Sequence, residues 1–303
     1  QKIDGLVFPK KNDGPELVTF RGYLGEAGIH SYSNGEDVRA YWANNLMREH
    51  VGVFSAAIVG RCGLTLSLVS DIFSVGPLYY RELGDMIFFS SSPSLLAQKG
   101  DKLDTNAWWM RINIGHCLDN TTLSQEIKKV SPATVMSFTA EGSTSKIWFD
   151  YSKFPHGEKD VDDNALVASH DSFSRAIERC ERLNHGTVVV PLSSGYDSRR
   201  IFAHLKNRKG DTETCTVRMP NQNGEDIDGS YAPQMSEDFG IKNTKFYVDD
   251  AAGWHKDNSQ RLFAVDAQTD YHTWAVPIFD NYKGKIISFF DGIGGDVFEF
   301  YGW

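Results

Sequence analysis

The sequence has no long apolar run, and its first residues do not have the pattern of a secretory signal peptide. No stretch of about 18 consecutive apolar residues occurs, which argues against a transmembrane helix. The residues from Gln1 onward include no apolar core of a signal peptide. We therefore expect no membrane partner and a cytoplasmic location. The chain does not begin with methionine, so we expect the natural start to lie further upstream.

Cysteine and histidine are sparse and widely spaced. The chain has four cysteines without a C-x-x-C pair and nine histidines without H-x-x-x-H or H-E-x-x-H spacing. These absences argue against a structural zinc site and a helical metal site. We expect buried, free thiols in a reducing compartment. The four cysteines are Cys62, Cys117, Cys180 and Cys215.

Basic residues are also scarce relative to acidic ones. There are 31 lysines and arginines against 40 acidic residues, which gives a net charge of −9. A nucleic-acid-binding surface needs excess positive charge to neutralise phosphates, so we expect no nucleic-acid partner. A hydrophobic content of 41% and an aromatic content of 13% are typical of a well-packed globular protein. The 303 residues are enough for two domains.

The first half of the chain, residues 1–150, is mostly β-like. Its apolar runs are rich in β-branched and aromatic residues, and glycines separate them. The predicted strands cover residues 52–59, 64–69, 86–90 and 134–138. Only residues 36–50 and 106–114 have helical patterns. The pattern of this half therefore predicts a predominantly β domain.

The second half, residues 151–303, differs in pattern. A charged stretch with Pro155 and Gly157, residues 146–159, is interpreted as a linker. Helices and strands then alternate, which predicts a parallel sheet covered by helices. The predicted helices cover residues 162–183, 198–207 and 225–239, the last with a candidate interruption at Pro233. The predicted strands cover residues 187–192, 214–219, 244–248 and 285–290.

The most informative segment joins the first strand of this sheet to a helix. A β-branched run, residues 188–190, leads into the turn Ser193-Ser194-Gly195-Tyr196-Asp197-Ser198. Loop N–H groups and the positive end of a following helix can bind a pyrophosphate. The turn has neither the lysine of a Walker A loop nor the spacing of G-x-G-x-x-G. The simpler alternative is an ordinary serine-rich βα turn.

This loop resembles the pyrophosphate loop (PP-loop) of N-type ATP pyrophosphatases, usually S-G-G-x-D-S, with Ser194 in place of the first glycine. A second segment, Asp291-Gly292-Ile293-Gly294-Gly295-Asp296, is similar to the G-x-G-x-D-E motif of asparagine synthetases. It departs from that motif at Ile293 and Val297. Both segments follow predicted strands, where ligands of parallel sheets bind. On these motifs the chain is identified as a member of the asparagine synthetase-like superfamily.

The resemblance implies the ligands and residues of the second half. It implies ATP and Mg²⁺, with the metal held by Asp197 and Asp296. The alternatives are a helix N-cap for Asp197 and a turn residue for Asp296. Arg199 and Arg200 either neutralise phosphate or line a solvated helix face. The residues implied in ATP and pyrophosphate binding are Ser193, Ser194, Gly195, Asp197, Ser198, Gly292, Gly294 and Gly295.

Three segments of the first half resemble the glutaminase-like domain of the same family. They are residues 71–80, similar to D-x-x-G-x-x-P-L-Y-Y with Ser74 for glycine; residues 90–96; and residues 122–133, which end in Pro-Ala133 instead of Pro-Gly. This resemblance implies an Ntn-hydrolase-like α/β/β/α layered domain at 1–150. A parallel-sheet PP-loop ATP pyrophosphatase domain, expected to be truncated, follows at 151–303.

The resemblance also implies a catalytic cysteine at the mature N-terminus of the glutaminase-like domain. This chain starts with Gln1, and its first cysteine, Cys62, is interpreted as a structural thiol. Either the domain is a retained scaffold without glutaminase activity, or the nucleophile is missing from this chain. No catalytic residue is assigned.

The sequence is therefore interpreted as an α/β enzyme, an ATP-dependent, AMP-forming amide or lactam synthetase. Its partners are small-molecule or peptide carboxylate and amine substrates. Two alternatives stay open: a nucleotide-binding pseudoenzyme with a scaffold or regulatory role, and a nucleotide- or tRNA-modifying enzyme, against which the acidic charge argues. A homo-oligomer is compatible with this interpretation, and the oligomeric state is left open.

Overall fold

The computed structural model divides the chain into two compact units, Gln1–Asp160 and Val161–Trp303. The structure describes residues 6–7, 17–24, 29–30, 52–60, 65–150, 152, 162–183, 186–208, 211–218, 224–247, 266–268 and 275–292. The predicted helix at 36–50 lies outside these residues. Within them, no helix is both long and apolar enough to cross a membrane.

The first unit is built on a seven-stranded sheet in the order β1-β2-β4-β5-β9-β10, with β3 paired to β2. Its pairings among the described strands are all antiparallel. The strands are β1 Leu6–Val7, β2 Leu17–Leu24, β3 Ile29–His30, β4 Gly52–Val59, β5 Leu66–Ser70, β9 Thr134–Thr139 and β10 Gly142–Ile147. The strands predicted at 52–59, 64–69 and 134–138 are confirmed to within two residues.

A second, three-stranded antiparallel sheet has the order β7-β6-β8. Its strands are β6 Tyr79–Leu83, β7 Met86–Ser90 and β8 Ile127–Lys129. One apolar cluster joins the two sheets: Ala57, Leu66, Leu68 and Phe138 from the large sheet pack with Tyr80 from the small one. The unit is therefore a mixed α/β structure with two stacked sheets. Helix α1, Thr105–Ile114, confirms the prediction at 106–114.

The predicted linker at 146–159 is wrong at its start. Lys146 and Ile147 pair with Val135 and Thr134 as the end of β10. The Trp148 indole then packs against the core cluster around Phe54 and donates a hydrogen bond to the Ser70 carbonyl at 3.1 Å. Local composition suggested a linker because it does not reveal this tertiary packing.

The turn at residues 71–76 is organised by a buried carboxylate. Asp71 is 1% exposed. Its Oδ1 accepts hydrogen bonds from the N–H groups of Phe73 at 2.9 Å and Val75 at 3.1 Å. Its Oδ2 accepts from Gly76 at 2.8 Å and from Phe54 of β4 at 3.3 Å. Because buried backbone N–H groups must be paired, this aspartate fixes the turn between the two sheets.

The second unit is built on a four-stranded parallel sheet in the order β13-β12-β11-β14. Its strands are β11 Thr187–Pro191, β12 Thr212–Arg218, β13 Lys242–Tyr247 and β14 Ile287–Phe289. Its helices are α2 Asp163–Arg182, α3 Tyr196–Leu205, α4 Ile227–Asp238 and α5 Val276–Asn281. The alternating pattern of the sequence is therefore confirmed as a parallel sheet with helices.

Apolar clusters cover both faces of this sheet. On one face, Val188 and Val190 of β11 pack with Phe202 of α3 and Ala232 of α4. On the other, Val189 packs with Cys215 and with Ile278 of α5. Strands buried on both faces become near-continuous apolar runs, which explains the run at 188–190. This double burial fixes β11 at the centre of the unit.

One helix boundary and one candidate interruption differ from the prediction. Helix α3 begins at Tyr196, with Gly195 as its N-cap, instead of at Ser198. Helix α4 continues through Pro233 without a break. Proline lies in the second turn of α4, where it removes a single helical hydrogen bond, and the Asp226 side chain caps the helix by accepting from the Gly229 N–H at 2.8 Å.

Candidate functional site

The candidate site of the second unit is a cavity of about 300 Å³ beyond the carboxyl ends of its central strands. Parallel sheets bind ligands at this edge because loops and helix N-termini converge there. The cavity is lined by Pro191, Leu192, Ser193, Gly195, Asp197, Ser198, Cys215, Val217, Asp228, Asp291 and Gly292. The sequence-predicted loop and the start of the second motif therefore share one cavity.

The loop is held in shape by its own hydroxyl groups. The Ser193 and Ser198 Oγ atoms lie 2.8 Å apart, and Ser198 Oγ also accepts from the Ser193 N–H at 3.1 Å. The Gly195 N–H donates to Ser193 Oγ at 3.1 Å. Ser198 is buried, whereas Gly195 is exposed at the start of α3. No side chain caps α3 at Gly195, and Gly195 lines the cavity, so the positive end of the helix lies at the cavity wall.

The two motifs meet at Gly292. A Cβ added at this glycine would lie 2.9 Å from the Ser198 nitrogen and 3.0 Å from both the carbonyl carbon and Cβ of Asp197. Any side chain there would collide with the first turn of α3. Gly294, Gly295 and Asp296, the other predicted residues of this motif, lie outside the described residues.

Three carboxylates, those of Asp197, Asp228 and Asp291, line the cavity. Asp197 is half-buried in the first turn of α3, and Gly195 rather than Asp197 is the N-cap, so the N-cap alternative is wrong. Within the described part of the chain, no group of three or more candidate side chains is arranged to hold a metal ion. The pairing of Asp197 with Asp296 stays a prediction. Three carboxylates around one cavity repel an anionic ligand unless a cation accompanies it.

The sequence did not single out Asp228 or Cys215. Asp228 lies in the first turn of α4, and its Oδ1 accepts from the Ser194 N–H at 2.7 Å. The buried thiol of Cys215 forms part of the cavity wall, and burial, together with the nearby Asp291 carboxylate, raises its pKa to about 12. Asp228 follows the loop by 34 residues, and no local signal marks a contact at that distance.

Arg199 and Arg200 do not line this cavity among the described residues. The Arg199 guanidinium lies 4.6 Å from the centre of the Tyr196 ring, and its Nε donates to the Gly195 carbonyl at 3.2 Å. The Arg200 guanidinium lies 4.1 Å from the centre of the Phe173 ring of α2. These contacts are typical of cation–π packing and favour a structural role over phosphate contact.

A buried polar network supports the loop from below. Thr216 Oγ1, 1% exposed, donates to the Leu192 carbonyl at 3.0 Å. Asn243 of β13 donates from Nδ2 to Thr216 Oγ1 at 3.0 Å and to Thr214 Oγ1 at 2.9 Å. The network therefore ties β12 and the start of β13 to the residue that precedes the loop.

In the first unit, the proposed structural thiol Cys62 lies outside the described residues. Cys215 is a buried free thiol, as expected, whereas the free thiol of Cys117 is only half-buried, and Cys180 is half-buried as well. Burial raises the pKa of the Cys117 thiol. A thiol becomes nucleophilic only as a thiolate, so neither environment favours a reactive cysteine.

Comparison with known proteins bears mainly on the first half of the chain. Residues 36–149 match the family model of a glutamine amidotransferase domain. The chain is 24% identical over 199 residues to asparagine synthetase [glutamine-hydrolyzing] 1 of Bacillus subtilis (strain 168). That match covers 63% of this chain and 30% of the relative, so the chain spans about a third of its length. The first half therefore contains a glutamine amidotransferase-like domain.

Two solved structures are also similar to this chain. One is glutamine phosphoribosylpyrophosphate amidotransferase from B. subtilis complexed with ADP and GMP, at 11% identity, with a TM-score of 0.35 and coverage of 83% of this chain and 74% of that one. The other is an allosteric regulatory enzyme of purine biosynthesis, at 10% identity, with a TM-score of 0.33 and coverage of 80% and 62%.

Proposed function

We propose that the protein is an ATP-dependent, AMP-forming synthetase that makes an amide or lactam bond. In this proposal a substrate carboxylate oxygen attacks the α-phosphorus of ATP, and the bond to the bridging oxygen breaks. Pyrophosphate leaves with that electron pair, and the carboxylate becomes an acyl-adenylate. An amine nitrogen then attacks the acyl carbon, so that AMP and a proton are released.

The proposal rests on one observation: the Ser193 to Ser198 loop and the start of the second motif, Asp291 and Gly292, line one cavity at the carboxyl ends of the strands. The cavity is lined by Ser193, by Ser198 and by Gly195 at the start of α3, which carry hydroxyl and N–H donors. Gly292 leaves the approach to α3 open, since any side chain there would fill it. Such donors are suited to a pyrophosphoryl group. A glutamine amidotransferase-like first half and a glutamine-hydrolysing relative agree with amide chemistry.

Magnesium is part of the same proposal. The hard carboxylate oxygens of Asp197 suit this ion, and Asp197 with Asp296 would hold it beside the phosphates. When bound, the ion neutralises charge on the leaving pyrophosphate. The protein's own part is to position the phosphates through the loop hydroxyls and the start of α3. We propose ATP and Mg²⁺ as ligands, and a carboxylate and an amine as substrates.

The test is nucleotide product analysis with ATP, Mg²⁺ and a panel of carboxylates and amines. We expect AMP and pyrophosphate from the wild type. Asp197→Asn should lower AMP formation by at least about a hundredfold, as loss of a group that stabilises developing charge does. Asp163→Asn is the matched control, because Asp163 also lies in the first turn of a helix but is exposed on α2.

The outcomes separate the alternatives. Unchanged AMP formation in Asp197→Asn would contradict the metal role. ATP bound but never cleaved by the wild type would favour the nucleotide-binding pseudoenzyme. Release of ADP and phosphate would overturn the adenylating mechanism, because it places bond cleavage at the γ-phosphate.

A further inference from the structure

Three successive N–H groups of the loop donate to oxygens of the protein itself. The Ser193 N–H donates to Ser198 Oγ, and the Gly195 N–H donates to Ser193 Oγ, both at 3.1 Å. The Ser194 N–H donates to Asp228 Oδ1 at 2.7 Å, the shortest of the three contacts. Each of these three N–H groups, which a pyrophosphoryl group would need as donors, therefore already donates to an acceptor of the protein.

The Asp228 contact differs from the other two in its chemistry. A serine hydroxyl can rotate and donate to an incoming phosphate while it still accepts from the backbone. An ionised carboxylate only accepts, so it competes with a phosphate oxygen for the same N–H. It also carries negative charge in the cavity, close to where the phosphate would lie.

The position of Asp228 makes the contact a link between elements. The residue lies in the first turn of α4, next to the Asp226 cap, which is itself paired with Arg218 of β12. The backbone on either side is thus anchored, while the Asp228 side chain is half-buried and lines the cavity. A rotation of this side chain would free the Ser194 N–H without disturbing the helix cap.

We propose that Asp228 sets the affinity of the loop for pyrophosphate by competing with it for the Ser194 N–H. The inference rests on the proposed function, since a pyrophosphoryl group is the ligand it assumes. The Asp228 carboxylate accepts from the Ser194 N–H when no ligand is present, and it is displaced when the anion binds. The same competition weakens the hold on pyrophosphate and speeds its release after cleavage.

The experiment is titration of the full chain with inorganic pyrophosphate by calorimetry, once in EDTA and once with Mg²⁺. Asp228→Asn keeps an oxygen that accepts from Ser194 but removes the negative charge. We expect it to bind pyrophosphate about tenfold more tightly than the wild type under both conditions. A change of this size corresponds to about 1.4 kcal/mol. A residue with only a structural role would not tighten binding when it is replaced.

Asp238→Asn is the matched control, because it removes the same charge from the exposed end of the same helix. It should bind like the wild type. Asp228→Ala is a second variant, which keeps the test available if the asparagine variant folds poorly. It is measured by the same titration, and its unfolding midpoint shows whether it is folded. It frees the Ser194 N–H entirely and should also bind more tightly.

The remaining outcomes each decide the matter. Unchanged or weaker binding by both Asp228 variants in EDTA, with a wild type that binds, would overturn the competition and leave the proposed function intact. Tighter binding in EDTA but weaker binding with Mg²⁺ would identify Asp228 as a metal ligand and overturn the competition as well. Binding by none of the proteins would overturn the proposed pyrophosphate site, and the competition would fall with it.

Discussion

Ser74 and Ala133 show how a single residue can hold a conformation that suits glycine better. Their φ angles are +54° and +50°, and both residues are buried. Both stand where the similar family motifs have glycine. Left-handed backbone costs a non-glycine residue about 1–2 kcal/mol. Hydrogen bonds to the Asp71 carbonyl hold both positions, from the Ser74 N–H at 3.2 Å and from the Ala133 N–H at 2.8 Å.

Ser74→Gly is expected to raise the free energy of unfolding by about 0.5–1 kcal/mol, because relief of the positive φ exceeds the entropy cost of glycine. The Ser74 hydroxyl adds little, since it lies 3.4 Å from the Val130 carbonyl. The measurement is urea denaturation.

Ser74→Ala is the matched control for that prediction, because it also removes the hydroxyl but keeps the strained φ. It should not stabilise the protein. If the glycine variant were no more stable than the alanine variant, the backbone argument at this position would be wrong.

At the scale of elements, β12 and the start of β13 are tied to the end of β11 by the buried network of Thr214, Thr216 and Asn243. Thr214 Oγ1 also lies 2.7 Å from Ser236 Oγ of α4, which extends the network to the helix. Buried polar groups stabilise a fold only while their partners are present. The loop conformation therefore depends on hydroxyl groups that lie beneath the sheet edge.

Thr216→Val is expected to lower the free energy of unfolding by about 1–3 kcal/mol, because it leaves the Leu192 carbonyl and the Asn243 amide without this partner. Thr216→Ser keeps the hydroxyl and loses one buried methyl group, at a cost of about 0.8 kcal/mol. Denaturant unfolding should thus rank serine above valine, although valine matches threonine in volume. The reverse order would mean that packing, not hydrogen bonding, dominates at this site.

At the scale of the whole molecule, the chain consists of two compact units with separate cores. The core clusters of the first unit draw on residues between Val18 and Trp148, and those of the second on residues between Phe173 and Phe290. A ligand stabilises the part of the native structure that binds it. Binding at the loop should therefore stabilise the second unit selectively.

Hydrogen exchange with saturating Mg²⁺ and pyrophosphate tests this selectivity. At a ligand concentration of about 100 times Kd, exchange through global opening of the second unit should slow by about a hundredfold. Peptides from β11 and α3 should show it, while peptides from β4 should exchange as before. Chloride at equal ionic strength is the control. Equal protection of both units would show that they open together.

The sequence by itself determined most of the secondary structure. The apolar run at 188–190, the helical pattern that follows the loop and the β-branched runs of the first unit are local signals, since they depend on neighbours a few residues away. The Ser193 to Ser198 loop could be predicted from the sequence for the same reason, since its residues are consecutive. Local signals failed at Lys146 and Trp148, whose place is fixed by pairing and packing with distant residues.

Only the tertiary structure decided what surrounds that loop. Gly292 meets α3 because β14 pairs with β11, although almost a hundred residues of chain separate them. Asp228 reaches Ser194 because α4 begins where β12 ends beside β11. Two of the described pairings in this sheet join consecutive strands, as is usual, whereas the pairing of β14 with β11 does not, so local signals could not predict it. The hydroxyl and N–H groups of the loop therefore come from neighbouring residues, whereas the Asp228 and Asp291 carboxylates that share its cavity come from remote parts of the chain.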